Sequence, residues 1–304
     1  MTTKQTQSKS GASTENRMES FEREIYTRYF EIAGFKPMKN DTRTASLDYL
    51  ISHYEAFFFD AFGTFYNQKN YIYPGAREAY NKVRQSKKEM RLVTNAASQS
   101  IPQMLESLKI MGIPFREREI LSSGDLFKDF AQKNAIREAF YIGRPAGISF
   151  LEKAGVSHSY SPEENTVIVS AAEDDPRIFE AAVQILKGKN SKLIVLNPDA
   201  YAPRINSPRE PVSGAYAHKL YKATQAKTFF FGKPFPELFE KAIQSLPRKM
   251  PTVMIGDTLA TDIGGALASK IDAALIIGRN TPQKDLAEDE AALKLRPTYY
   301  LESF

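Results

Sequence analysis

The sequence predicts an α/β protein built around a largely parallel sheet. Short apolar runs alternate with segments of helical spacing over most of the 304 residues, and this alternation is typical of βαβ units. Several apolar runs end in polar residues that complement one another chemically. Because the binding crevice of an open parallel sheet lies outside the carboxyl ends of its strands, the sequence also predicts a site at those ends.

Composition narrows the class of protein. The length and an apolar content of 42% allow two domains, or one domain that carries an insertion. No stretch approaches the roughly 18 apolar residues that cross a bilayer, so no membrane partner is expected. The 41 basic residues exceed the 36 acidic ones by five without forming a basic run, so no nucleic acid partner is expected. The absence of cysteine excludes disulfides and thiolate metal sites, and the cytoplasm is the expected compartment.

The amino-terminal region divides into two parts. Residues 1–17 contain little that can be buried, and disorder is predicted there. Apolar residues then recur at helical spacing over 18–33, which predicts a packing helix that ends at Gly34.

The elements that follow are predicted from their periodicity and their caps. Proline beside Gly75 suits a first helical turn, Gly155 suits a helix end, and Asp175 before Pro176 suits a helix start. Helices are predicted at 44–54, 74–88, 101–111, 126–133, 148–154, 177–187 and 215–224. Strands are predicted at 56–59, 90–93, 119–122, 139–142, 167–169, 193–196, 228–231 and 253–255. The proline-rich stretch 198–211 is predicted to be a loop.

Four strand ends carry the candidate site. They are Asp60, the pair Thr94 and Asn95, Lys233, and Asp257 with Asp262. A carboxylate can attack a phosphoryl group when a divalent cation neutralises the phosphoryl oxygens, and water can then cleave the aspartyl phosphate. Asp60 is the candidate nucleophile, because it leaves an apolar strand and enters a tight glycine turn.

The other strand ends supply the remaining groups for this chemistry. Asp257 is a candidate Mg²⁺ ligand, together with Asp60 and a backbone carbonyl near Phe62. Asp262 completes the candidate metal site or orients the lysine. Lys233 would offset charge on the nucleophile and the phosphoryl oxygens.

Phosphate-binding donors are expected from the neighbouring loops. The turn residues Phe62 and Gly63, together with Thr94 and Asn95, are the candidates. Asp199, in the proline-rich stretch, is a candidate substrate contact.

These residues resemble the four motifs of the haloacid dehalogenase-like hydrolases. The motifs occur here as FFFDAFGT, RLVTN, the lysine of FFGKP, and MIGDTLATD. YPGAREAYNKVRQ, ILSSGDL, LIVLNPDAYAP and GKPFPELFEKA are further similar to the branch that contains p-nitrophenyl phosphatase, phosphoglycolate phosphatase and nucleotide monophosphatase relatives. The resemblance spans about residues 55–280. It implies that Asp60 is the nucleophile, Thr94 a phosphate ligand, Lys233 the neutralising lysine, Asp257 the metal ligand and Asp262 a supporting acid.

The resemblance also implies a domain organisation and a partner. The implied fold is a Rossmann-like core, residues 18–136 and 228–304, with an α/β cap domain inserted at 137–227. The implied activity is Mg²⁺-dependent hydrolysis of a small phosphorylated metabolite, such as a sugar phosphate or a nucleotide. Relatives often associate through the cap edge, which leaves a homodimer open.

One residue departs from the family pattern. Phosphatases of the family carry a second aspartate two residues after the nucleophile, where this chain has Phe62. General acid–base help of this kind is worth about 10² to 10⁴ in rate, so a slow or atypical phosphatase is expected.

Phe62 leaves two alternatives open. Haloacid dehalogenases carry an aromatic residue at this position, although their helical cap directly follows the first motif and they do not need the metal aspartate. A non-catalytic protein that binds a phosphorylated metabolite is the other alternative.

Overall fold

A computed structural model describes residues 20–36, 41–68, 71–281, 283–301 and 303–304. The predicted disorder of residues 1–17 lies outside these ranges. The helices are α1 Ser20–Ala33, α2 Leu47–His53, α3 Ala76–Gln85, α4 Ile101–Ile110, α5 Phe127–Lys133, α6 Ile148–Ala154, α7 Pro176–Leu186, α8 Ser213–Thr224, α9 Pro236–Gln244, α10 Gly264–Ala268 and α11 Leu286–Leu293.

The strands are mostly short, and most of them belong to two parallel sheets. They are β1 Arg43–Thr44, β2 Ala56–Phe59, β3 Tyr66–Asn67, β4 Tyr71–Ile72, β5 Glu89–Thr94, β6 Ile120–Ser122, β7 Glu138–Ile142, β8 Ser157–His158, β9 Thr166–Val169, β10 Lys192–Val195, β11 Tyr201–Arg204, β12 Ser207–Pro211, β13 Lys227–Phe230, β14 Thr252–Gly256, β15 Asp272–Ile276 and β16 Tyr299–Leu301. Within the described ranges, no helix is both long enough and apolar enough to span a bilayer.

A seven-stranded parallel sheet forms the core. Its strand order is β1-β16-β15-β14-β2-β5-β6. The four residues of β2 are fully buried, and alternate residues belong to different hydrophobic clusters. Phe58 packs in one cluster, whereas Phe57 and Phe59 pack in the other. A strand that is covered on both faces needs apolar side chains at every position, and this explains why β2 consists of alanine and three phenylalanines.

A second parallel sheet is built from the part of the chain between β6 and α9. Its strand order is β13-β10-β9-β7-β8. The caps predicted here are confirmed: the side chain of Asp175 accepts a hydrogen bond from the N–H of Arg177 at the start of α7, and Gly155 ends α6 with a φ of 73°. The predicted fold class, an α/β core with an additional α/β domain, is therefore confirmed.

The structure differs from the prediction at β13. The strand was expected in the core sheet, but it pairs in parallel with β10 at the edge of the second sheet. The apolar pattern of a strand encodes its burial and leaves its neighbours unspecified, so it could not distinguish the two sheets. The domain limits at 136/137 and 227/228 stay predictions, and β13 lies almost wholly beyond the second of them.

The proline-rich stretch is the second difference. It was predicted to be a loop, but β11 and β12 form an antiparallel hairpin with a register shift between Ala202 and Arg204. Pro203, Pro208 and Pro211 lie within its strands. Proline is tolerated in this two-stranded sheet because each strand has a free edge that needs no N–H donor.

Candidate active site

Three adjacent strands of the core sheet deliver the predicted site residues. Strand β2 lies between β14 and β5, and Phe59 is in register with Ile255 on one side and Leu92 on the other. The N–H of Asp60 donates to the carbonyl of Ile255 at 3.0 Å. Asp60, Thr94 and Asp257 therefore leave the sheet side by side at its carboxyl edge.

Lys233 joins the nucleophile candidate to the fourth motif. Its Nζ donates to Asp60 Oδ1 at 2.5 Å and to Asp262 Oδ1 at 2.6 Å, and the lysine is only 1% exposed. The two carboxylates raise the pKa of Lys233 although burial opposes this. The ammonium group is therefore charged and held in place.

Burial dominates the electrostatics of Asp60. Desolvation raises the pKa of Asp60 to about 7, Lys233 lowers it, and Asp262 raises it. Lys233 is bonded to Oδ1, and no hydrogen bond is formed to Oδ2 by the described residues. The buried carboxylate therefore keeps one oxygen for an incoming group.

Asn95 holds the lysine rather than facing the cleft. Its Oδ1 accepts the backbone N–H of Lys233 at 2.7 Å, and its Nδ2 donates to the carbonyl of Lys233 and to Asp199 Oδ1, both at 2.9 Å. Both ends of the amide are therefore bonded within the protein, and the phosphate contact expected of Asn95 stays a prediction. Thr94 does line the cleft, and its Oγ1 accepts the N–H of Ala96 at 3.2 Å, which leaves its O–H free to donate.

Three acidic residues at this edge could form a cation site. Asp60, Asp257 and Asp262 each offer a carboxylate oxygen, and the three oxygens lie within 4.8 Å of one another. Asp257 Oδ2 is buried and has no hydrogen-bond partner in the described part of the chain. Burial, followed by the charges of Asp262 and Asp60, raises the pKa of Asp257 well above its usual value. An unpaired buried oxygen beside two further carboxylates suits a hard divalent cation.

Asp262 is already bonded on both oxygens. Oδ1 accepts from Lys233, and Oδ2 accepts the backbone N–H groups of Asp257 at 3.1 Å and Thr258 at 3.0 Å. This arrangement favours the supporting role over direct metal ligation. The predicted contribution of the Phe62 carbonyl stays a prediction.

The turn after Asp60 needs glycine. Gly63 has a φ of 91°, and a Cβ added there would lie 2.0 Å from Asp257 Oδ2. The missing side chain of Gly63 makes room for Asp257, and the phosphate contact expected of Gly63 stays a prediction. Arg279 fixes the turn by donating to the carbonyl of Gly63 at 3.0 Å and to that of Thr64.

A cleft of about 530 Å³ opens above these groups. Asp60, Thr94, Lys233 and Asp262 line its floor, and the predicted substrate contact Asp199 lines its wall. Burial raises the pKa of Asp199 to about 6.

Phe62 lines the same cleft and is half-buried. Its ring packs edge-on against Tyr66 at 5.9 Å, and the guanidinium of Arg204 lies 5.7 Å from its centre. No carboxylate takes the position of the missing aspartate at residue 62.

Several cleft residues were not predicted. They include Tyr66, Arg144, Glu210, Thr258 and Asn280. Arg144 and Asn280 each follow a strand, which is the signal that the predicted site residues share, but the strand before Asn280, β15, was not predicted. Glu210 lies on the unpredicted hairpin and carried no such signal.

Comparisons with known proteins agree with this geometry. A haloacid dehalogenase-like hydrolase model matches residues 57–157, and a HAD-hydrolase-like model matches residues 230–304. The ribonucleotide monophosphatase NagD of Escherichia coli K12 is 24% identical over 210 residues, which cover 68% of this chain and 82% of NagD. The dihydroxyacetone phosphatase of Corynebacterium glutamicum is 26% identical over 242 residues, 76% of this chain and 82% of that enzyme.

A solved structure shows the same fold. A possible sugar phosphatase from Cytophaga hutchinsonii superimposes with a TM-score of 0.77 at 24% identity, over 86% of this chain and 98% of that one. The chain belongs to the haloacid dehalogenase-like hydrolase family. Because several of its curated relatives are named phosphatases, the predicted enzyme class, a phosphatase of that family, is confirmed.

Proposed function

We propose that this protein hydrolyses a small phosphomonoester with Mg²⁺ and an aspartyl-phosphate intermediate on Asp60. The observation that carries the proposal is the buried Lys233, whose ammonium group bridges Asp60 at 2.5 Å and Asp262 at 2.6 Å next to Asp257. The named activities of NagD and of dihydroxyacetone phosphatase support a nucleotide or a sugar phosphate as substrate.

The first step is attack by the Asp60 carboxylate on phosphorus. The bond from phosphorus to the ester oxygen breaks, and the leaving alkoxide takes its proton from water because Phe62 offers none. Lys233 stabilises the negative charge on the phosphoryl oxygens, and the Thr94 hydroxyl donates to one of them. Water then attacks the phosphorus of the acyl phosphate, which releases phosphate and restores the carboxylate.

The cation would be held by Asp60 and Asp257, with Asp262 in support. When bound, Mg²⁺ would neutralise charge on the carboxylates and on the phosphoryl group. The orphan Oδ2 of Asp257 supports this assignment.

The test is p-nitrophenyl phosphate turnover with and without Mg²⁺. Wild type is expected to release phosphate only with the cation, and Asp60→Asn, matched in size but unable to form the acyl phosphate, is expected to be inactive. Circular dichroism of the variant checks that it is folded. Equal activity in wild type and Asp60→Asn would contradict the proposal, as would halide release from a 2-haloacid without metal. A homodimer through the cap edge and a cytoplasmic location stay predictions.

A further inference from the structure

Helix α1 precedes both segments that match the family models. Its buried side chains Ile25, Tyr26 and Tyr29 belong to one hydrophobic cluster. That cluster includes Phe239 of α9 and Leu293 of α11, and also Ala200 and Tyr201 at the start of the hairpin. The helix therefore packs against core elements and against the hairpin at the same time.

An ion pair joins α1 to the second strand of the hairpin. Glu22 of α1 accepts two hydrogen bonds from the Arg209 guanidinium, at 3.1 and 2.9 Å. The side chain of Glu22 is 2% exposed and that of Arg209 is 13% exposed. A buried bidentate pair has a fixed geometry, so it sets the position of strand β12 relative to the helix.

The same helix reaches the residue that directly precedes the first strand. The hydroxyl oxygen of Tyr26 accepts the backbone N–H of Ala200 at 3.2 Å, directly after the cleft residue Asp199. The Arg209 guanidinium also lies 5.5 Å from the ring centre of Tyr201, which lines the cleft. Both strands are thus held by α1 at points adjacent to cleft residues.

Further contacts anchor α1 to its surroundings. Arg23 pairs with Glu288 of α11 at 2.7 Å. On the side of the second sheet, Lys222 of α8 pairs with Glu24 at 2.7 Å. A helix fixed at both sides can transmit the position of the core to the hairpin.

The hairpin forms the wall above the reacting groups. Tyr201, Arg204 and Glu210 line the cleft, and the Arg204 guanidinium lies over the Phe62 ring. The phosphoryl group would bind at Asp60 and Lys233, so the hairpin faces the remainder of the substrate.

We infer that α1 positions the β11–β12 hairpin, through Glu22 and Arg209, to bind the organic leaving group of the substrate. This inference rests on the proposed function for its kinetic readout. Glu22 and Arg209 are positioning residues: they act on binding of the leaving group and take no part in phosphoryl transfer.

The test compares two phosphoryl donors in Glu22→Gln. The variant keeps the shape of the side chain but loses its charge, which weakens the hold on β12. With p-nitrophenyl phosphate, whose aryl group reaches the wall, KM is expected to rise about three- to tenfold while kcat changes by less than about twofold. With acetyl phosphate, whose leaving group is too small to reach the wall, KM is expected to remain at the wild-type value.

Glu119→Gln is the matched control. Glu119 also accepts two hydrogen bonds from one arginine, Arg84, at 2.7 and 2.8 Å, and its side chain is 6% exposed. The control loses a comparable ion pair in the core, so it should reduce thermal stability without changing KM for either donor. An equal rise of KM in both variants, or a rise for both donors in Glu22→Gln, would overturn the inference.

Amide hydrogen exchange gives a readout that does not need activity. The amides of residues 200–212 are expected to exchange faster in Glu22→Gln than in wild type and in Glu119→Gln. Unchanged exchange there would overturn the inference. A wild-type protein that hydrolyses neither donor would refute the proposed function instead, and the exchange measurement would still decide the role of α1.

Discussion

Replacing Phe62 by aspartate should increase the rate of this enzyme. The ring occupies the position at which phosphatases of the family carry their second aspartate. It is half-buried and lies in the cleft that contains Asp60. The Arg204 guanidinium, 5.7 Å from the ring centre, would face the new carboxyl group and favour its charged form, which reduces the fraction that can donate a proton and limits the gain.

The substitution loses folding stability with the ring and gains catalytic rate with the carboxyl group. Full burial of a phenylalanine side chain is worth about 1.5 to 3 kcal/mol, so losing a half-buried ring should cost about 1 kcal/mol of folding stability. General acid–base catalysis typically contributes about 10² to 10⁴ in rate. Because the surrounding residues have not been selected for an aspartate here, we expect a gain in kcat of about tenfold or more, at the low end of that effect.

The assay compares leaving groups. Hydrolysis of glycerol phosphate releases an alkoxide, which is a poor leaving group and needs a proton. Hydrolysis of p-nitrophenyl phosphate releases p-nitrophenolate, which is a stable anion. The gain in Phe62→Asp should therefore be larger for glycerol phosphate. Phe62→Asn is the control, because it has nearly the same shape and cannot transfer a proton. Equal rates for the Asp and Asn variants on glycerol phosphate would refute the argument that Phe62 removes a general acid.

Two further predictions concern the packing of single residues. Gly63→Ala should abolish activity and destabilise the fold, because the new Cβ would lie 2.0 Å from Asp257 Oδ2. Gly155→Ala is the control, because Gly155 has a similar φ of 73° and no atom lies within 4 Å of its Cβ. It should cost only the backbone strain of about 1 to 2 kcal/mol, and thermal unfolding compares the two variants. Burial and Glu22 raise the pKa of Asp289 to about 6, above the value of about 4 in an unfolded chain. The wild type therefore loses stability as the pH rises through this interval, and the stability of Asp289→Asn relative to wild type should increase by about 1 to 3 kcal/mol between pH 4 and pH 7. Urea unfolding at both pH values checks this, and a difference that does not change with pH would contradict it.

The sequence predicted the candidate site better than the boundaries of the fold. Asp60, Thr94, Lys233 and Asp257 were recognised because each stands at the end of an apolar run, and the carboxyl ends of neighbouring parallel strands must meet. Tertiary structure brings Asp60, Thr94 and Asp257 to one edge of the core sheet, and Lys233 reaches Asp60 from the end of β13 in the second sheet. Their catalytic roles stay predictions.

The roles of Asn95 and Arg209 could not be predicted in the same way. The phosphate contact expected of Asn95 stays a prediction, and its amide holds Lys233 and Asp199, two residues that are far from it in sequence. Arg209 lies in the stretch that was predicted to be a loop, and it pairs with the buried Glu22. A polar side chain does not reveal its partner when the partner comes from another segment of the chain.

The sequence by itself determined the alternation of strands and helices, the order of the four motifs and the absence of an acid at residue 62, because these depend on local periodicity and residue identity. Only the tertiary structure decided that β13 joins the second sheet, that 201–211 is a hairpin, and that α1 holds this hairpin over the cleft. Those features depend on pairing between distant segments, and the hydrogen bonds and ion pairs that fix them leave no periodic pattern in the chain.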